Sequence, residues 1–220
     1  MFAANPYLHF HNLQSLFRVT LRTIKPSLII VGLGNPGGTY EQTRHNAGFR
    51  AADILRDAFG GGPTSSAKGG LRGAGEWKDR AKLLSVVSEI QIGDVPVLLA
   101  KPTTFMNRSG EAVQKLVHFY KLDSSFQLLV LSDDCDLPLG EIRFRNQGGP
   151  GTHNGLKSIV EYIKEGFPRI RIGLGSASAG EDLANWVLSV PPAEERTTLD
   201  AAIEKDLPKI VKEFVLGPSR

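Results

Sequence analysis

His45 closes a loop crowded with polar side chains, among them Asn35, Tyr40, Arg44 and Asn46. A histidine oriented by a neighbour can take a proton from water at neutral pH, because its ordinary pKa lies near ~6.5. Asp133 is a candidate for that neighbour. It follows the apolar run Phe126–Leu131, and ligands of open α/β sheets gather at the carboxyl ends of strands. A carboxylate there can hold one nitrogen of the ring and leave the other free. Asp133, Asp134 and Asp136 also fit loop-capping acids. As a metal set they lack EF-hand spacing and a completing set of His or Cys, and no metal is expected. Asn107 carries an amide that could donate to a carbonyl or a developing oxyanion, or simply cap a helix.

Gly148–Gly155 (GGPGTHNG) is a glycine-rich loop before a helix, a place that suits a phosphate or a ribose hydroxyl. Its His153 reads as structural or substrate-contacting, since one base suffices for ester hydrolysis. Arg143 and Arg145 alternate on one strand, Arg169 and Arg171 on another. Brought together, four guanidinium groups would suit phosphate oxygens; apart, they are solvated strand faces. No Ser stands in a G-x-S-x-G elbow, and Cys135 sits between acids that raise its pKa, so a covalent nucleophile is not expected. His, Asp and several Asn together suit base-activated water against an ester or similar carbonyl.

Gly32-Leu33-Gly34-Asn35-Pro36-Gly37 matches the dinucleotide fingerprint G-x-G-x-x-G, with Asp53 about 20 residues on. Two details oppose that reading. The helix should begin within the glycine turn, yet Pro36-Gly37-Gly38-Thr39 prolongs a loop, and the acid should end a strand, yet Asp53 falls in an amphipathic helix.

The elements that must position these residues follow from apolar patterning. Strands are expected at Ser27–Gly32, Lys82–Gln91, Val95–Ala100, Phe126–Leu131, Glu141–Arg145 and Arg169–Leu174. Helices are expected at Ala47–Phe59, from a Ser109 cap to Tyr120, and from Gly155 to Lys164. Two helical stretches finish the chain, broken by Pro191, Pro192 and Pro208. Gly60–Gly75 reads as a loop. Interleaved strands and helices imply one α/β domain, a mixed sheet covered on both faces.

The 220 residues fit one domain, and 41% hydrophobic with 22% charged residues is the balance of a globular protein. No apolar run approaches the ~18 residues needed to cross a bilayer. One cysteine excludes an intramolecular disulfide framework. No acid precedes Glu41, whereas Arg18, Arg22 and Lys25 do, and these three carry the whole excess of basic over acidic residues. Residues 1–26 therefore read as an organelle-targeting leader, amphipathic and acid-free, for a mitochondrion or plastid, with a domain over 27–220. That domain is neutral overall, so any RNA contact must come from a local basic patch.

VGLGNPGGTYEQTRHNAGF (Val31–Phe49), KPTTFMNRSG (Lys101–Gly110) and DDCDLPLGEIRFRNQGGPGTHNGLKSI (Asp133–Ile159) resemble the three signature blocks of bacterial-type peptidyl-tRNA hydrolases. RIRIGLG (Arg169–Gly175) and NWVLSVPP (Asn185–Pro192) continue the resemblance in order. It implies a monomeric three-layer α/β/α domain with a mixed twisted sheet, acting on peptidyl-tRNA without metal or organic cofactor. It implies His45 as general base, Asp133 as its orienter, and Asn35 and Asn107 on the peptide and scissile ester, Asn107 also aiding the oxyanion. Tyr40 and Met106 would line the cleft and Asn154 would meet the tRNA 3′ end. Arg145 and Arg171 would clamp the 5′ phosphate, with Arg143 in support. Thr152 departs from the pattern, standing where glycine is usual and putting a Cβ beside His153. A relative of this family serves plastid group II intron splicing, so an RNA-binding factor on the same fold is the alternative expectation.

Overall fold

The computed structural model describes residues 25–60 and 75–217. The expected leader lies outside the described residues but for 25 and 26, and most of the expected Gly60–Gly75 loop, 61–74, lies outside them as well.

Strand β1, Leu28–Gly32, is an unbroken apolar run because both of its faces are covered. Its neighbours, both parallel, are β4 (Val95–Pro102) and β5 (Leu128–Asp134). With β2 (Lys78–Arg80), β3 (Ser85–Ile92), β6 (Ile142–Arg145) and β7 (Arg169–Gly173) they form one mixed sheet of order β2-β3-β4-β1-β5-β7-β6. Leu28 and Ile30 point into a core with helices α1 (Ala47–Phe59) and α5 (Ala193–Leu216). Ile29 and Val31 point the other way, into a core with α2 (Ser109–Tyr120) and α3 (Asn154–Ile163). This is the three-layer α/β/α arrangement expected. A short helix, α4 (Leu183–Val187), precedes α5 and turns Trp186 into the first core.

Several boundaries differ from the sequence reading. The hairpin strand starts at Ser85, because Ala81–Leu83 form a tight turn that ends with Leu84 at a left-handed φ of 51°. The three-residue edge strand β2 is exposed at each residue and has no apolar signal by which to be found. Strand β5 runs on through Asp133, which its ladder to β7 holds inside the sheet. Ser109 is not a cap: its hydroxyl donates to the Met106 carbonyl at 2.8 Å from within the first turn. Pro208 does not break α5, whose buried stripe Leu199, Ile203, Leu207 and Val211 continues past it.

The glycines of the apparent dinucleotide fingerprint have other uses. A Cβ on Gly32 would stand 2.2 Å from the Gly48 carbonyl oxygen, so the first turn of α1 rests directly on β1. A Cβ on Gly34 would strike the Phe49 ring at 2.6 Å. Asp53 accepts from Trp77 Nε1 at 2.8 Å and pairs with Lys101 at 2.6 Å, a bond between α1 and the sheet.

Candidate active site

Because β1 and β5 are adjacent and parallel, the loops leaving their carboxyl ends lie side by side. The first loop ends in a single 3-10 turn, Arg44–Asn46, that carries His45 into α1. From β5 comes Asp133, fully inside the sheet at 3% exposure. Nδ1 of His45 lies 2.9 and 3.0 Å from the two carboxylate oxygens.

A second imidazole meets the same carboxylate: Nε2 of His153 is 3.0 Å from Asp133 Oδ1. Nδ1 of His153 accepts from the backbone N–H groups of Gly155 (3.1 Å) and Leu156 (3.3 Å), capping α3. An accepting Nδ1 carries no proton, so His153 donates through Nε2. Asp133 thus accepts from two rings. His45 in turn donates through Nδ1, and its Nε2, which has no hydrogen-bond partner among the described residues, keeps its lone pair.

Burial alone would favour a neutral Asp133, but the two imidazoles outweigh it and hold the carboxyl well below the usual carboxylate range. Burial likewise disfavours a charged His45, and the facing Asp133 outweighs it, so the ring's pKa is raised above its ordinary value. The nitrogen and oxygen atoms of His45, Asp133 and His153 lie within 4.8 Å of one another, close enough for a metal. The hydrogen bonds just described account for that arrangement without one.

The His45–Asp133 pair opens on a cleft of about 640 Å³. It is walled by the glycine-rich loop 147–154 and by α4, through Leu183, Ala184 and Val187. Arg145, Arg171 and Asn154 also face this space. Asn154, the first residue of α3, is exposed.

Asn35, Tyr40, Met106 and Asn107 do not line that cleft. Asn35 is buried and joins two loops: its Oδ1 accepts from Met106 N–H at 2.8 Å. Its own backbone N–H and C=O are held by the Asn46 side chain at 2.8 and 3.0 Å. Met106 is a core side chain, its sulfur 2.6 Å from where a Cβ on Gly155 would stand. Tyr40 meets the exposed Phe105 edge-on, ring centres 6.1 Å apart. Asn107 is exposed beside them, and its side chain makes no hydrogen bond among the described residues.

Strands β6 and β7 pair antiparallel with Arg143 opposite Arg171 and Arg145 opposite Arg169, so the two pairs of arginines are brought together. They are not equivalent. Arg143 is engaged by Glu141 and Arg171 by Asp134. Arg169, only 2% exposed, donates to the carbonyls of Gly148 (2.6 Å) and Gly149 (3.0 Å). It therefore staples the glycine-rich loop, which corrects its place in the expected phosphate patch. Arg145 is exposed and has no acid partner among the described residues.

Comparison with known proteins decides the kinship. The family profile described as Peptidyl-tRNA hydrolase matches residues 29–216. The chain belongs to the peptidyl-tRNA hydrolase family. It is 41% identical to the mitochondrial peptidyl-tRNA hydrolase of Oryza sativa subsp. japonica over 84% of this chain and 68% of that one. It is 42% identical to the chloroplastic peptidyl-tRNA hydrolase of Arabidopsis thaliana over 83% of this chain and 58% of that one. Among solved structures, an Arg119Gln mutant of peptidyl-tRNA hydrolase from Acinetobacter baumannii superposes with a TM-score of 0.76 at 37% identity. That match covers 88% of this chain and 90% of the other.

Two features of the site escaped the sequence reading. His153, expected to be structural or substrate-contacting, is a cap, but its contact with Asp133 depends on how α3 meets β5. Arg44, next to the base, is buried and tied to Ser189 and Glu195, far along the chain. The nearest sequence signal for the first was a histidine directly before a helix start; the second had none. The expected inertness of Cys135 agrees with its surroundings: burial, then Asp133, Asp134 and Asp136, push its thiol up to about 12.

Proposed function

We propose that this chain hydrolyses the ester joining a peptide to tRNA in peptidyl-tRNA. The observation that carries the reading is His45, fixed through Nδ1 by a buried, charged Asp133 while its Nε2 stays free at the wall of a cleft. Nε2 takes a proton as a water oxygen bonds to the ester carbonyl carbon. The tetrahedral intermediate then collapses, the carbon–oxygen bond to the tRNA ribose breaks, and the imidazolium returns its proton to that oxygen. The products are a peptide carboxylic acid and a free ribose hydroxyl. Asp133 stays ionised throughout and stabilises the imidazolium.

In this reading Asn107, exposed and uncommitted, donates its amide to the carbonyl oxygen as charge develops there. Asn35 presents its free amide to the peptide while its Oδ1 holds the Met106 turn, and Tyr40 and Met106 shape the peptide side. Asn154 meets the 3′ end of the tRNA at the start of α3. Arg145 and Arg171, with Arg143 behind, bind backbone phosphate. Water suffices as nucleophile, so no cofactor is assigned, and the reading takes the chain as a monomer. The acid-free leader and the organellar relatives support a mitochondrial or plastid setting. Among the described residues no helix is long and apolar enough to cross a membrane. The intron-splicing alternative has no support from the relatives matched.

The test is release of the peptide from N-acetyl-aminoacyl-tRNA by the full chain and by His45→Ala. Release by the first alone supports the reading. No release by folded wild type that still binds RNA would overturn it.

A further inference from the structure

Arg44 is buried beside the base and reaches away from it. Its Nη1 donates to Ser189 Oγ at 2.6 Å and its Nη2 to Glu195 at 2.7 Å. The Trp186 ring lies under its guanidinium, Cζ to ring centre 4.7 Å. The Arg44 backbone N–H adds a bond to the Ser189 carbonyl at 3.1 Å. All three partners belong to α4, to the link behind it, or to the first turn of α5. Helix α4 is the cleft wall that carries Leu183, Ala184 and Val187. On the other side of His45, Asn46 grips the backbone of Asn35. The base is therefore slung between two clamps, one on the β1 loop and one on the cleft wall.

We propose that Arg44 is a positioning residue that locks the His45 turn to the α4 wall of the cleft, so that the base and the wall keep one geometry. The proposal rests on the hydrolase reading for its kinetic consequence only. Stability is a poor explanation for this arginine. Its Nε is buried with no partner, and an apolar side chain in such a place is often as stable or more so. Glu195 is 37% exposed and sits in the first turn of α5, so it stays solvated and favourably placed without Arg44. What an apolar residue cannot supply is the planar fork that engages Ser189 and Glu195 at once while stacking on Trp186. Misplacement of a reacting group by about 1 Å costs up to a hundredfold in rate, so a loose His45 turn is felt in kcat.

The experiment measures kcat and KM of the full chain on N-acetyl-aminoacyl-tRNA for Arg44→Met and Arg44→Lys, and for Arg44→Met in the His45→Ala background. Arg44→Met is expected to lower kcat about tenfold to a hundredfold with KM little changed, and Arg44→Lys to recover part of the loss. Under single turnover in the His45→Ala background, Arg44→Met should cost nothing further, because its effect runs through His45. An equal loss in that background, a change in KM alone, or unchanged kcat would overturn the proposal. Should Arg44→Met not fold, Glu195→Gln with Ser189→Ala cuts the same tether from its outer end, and unchanged kcat there would also overturn it. An independent reading is the low-field NMR signal of the His45 Nδ1 proton shared with Asp133. It should weaken or move in Arg44→Met, and an unaltered signal overturns the tether whatever the activity. Failure of wild type to release peptide refutes the hydrolase reading, and the NMR result still judges the tether.

Discussion

The two ends of the candidate site are built on opposite plans, and Arg143 at the second does not line the cleft. At one end, His45, Asp133 and His153 are mostly buried and have their orienting hydrogen bonds in place before any substrate arrives. At the other, Arg143, Arg145 and Arg171 are partly or fully exposed, and two of the three are already engaged by an acid of the same chain. The chemistry needs atoms fixed to fractions of an ångström, and a buried polar network whose members are all partnered supplies that. Phosphate binding needs charge within reach and tolerates slack, because its strength is electrostatic and falls with salt. Single substitutions are therefore felt in rate at the first end and in affinity at the second.

The largest effect is expected where the rigid end loses its base. His45→Ala should lower kcat on N-acetyl-aminoacyl-tRNA by on the order of a hundredfold to ten-thousandfold while tRNA binding persists. Near-normal turnover would remove His45 from its role. Asp133→Asn sharpens the same end through pH. In wild type the base works when neutral, and its pKa is raised, so kcat/KM should climb with pH through a value above that of ordinary histidine. Without the carboxylate, burial alone acts on His45 and pulls its pKa down. The rising limb should therefore move to lower pH in Asp133→Asn, while the plateau drops for want of an oriented ring. A limb that stayed in place would mean that another group sets it.

At the loose end the expected effects are smaller and unequal. Arg145 has no acid to give up, whereas a phosphate reaching for Arg171 or Arg143 must displace Asp134 or Glu141. Arg145→Ala should thus weaken tRNA binding most and reduce the slope of log K against log salt by about one, with Arg171→Ala and then Arg143→Ala behind it. Binding measured across a salt series checks the order, and equal slopes for all three would argue that the internal ion pairs do not matter.

The contrast also explains what could be read from the sequence. The central strands were legible because Leu28–Gly32 and Leu128–Leu131 are unbroken apolar runs, and α1 because its buried Ala51, Ala52 and Leu55 recur at helical spacing. Their order placed His45 and Asp133 at the same sheet edge. Strand β2 was not legible, since Lys78, Asp79 and Arg80 are all polar and exposed and pair by backbone bonds to β3. Nor was Pro208 inside α5, where four buried side chains outweigh the local cost of one proline. The divided roles of the four arginines depend on which acid or carbonyl each meets in space, and alternation along a strand says nothing of that. The same holds for His153 against Asp133, a contact across 20 residues that only the packing of α3 creates.

The smallest effect expected concerns Thr152. Thr152 stands in the glycine-rich loop where the resemblance leads one to expect glycine, and it lines the cleft. The left-handed turn of the loop falls instead on Gly151, at φ 57°, and Thr152 is not among the residues with positive φ. Its backbone is therefore one that any residue adopts, and its side chain is exposed. The hydroxyl and methyl occupy solvent at the cleft mouth and do not strain the His153 cap. Thr152→Gly should leave kcat unaltered and change KM by no more than about twofold, and any stability change should be a small loss from the added chain freedom of glycine. A large gain in kcat would show instead that the threonine holds the rigid end of the cleft away from its best geometry.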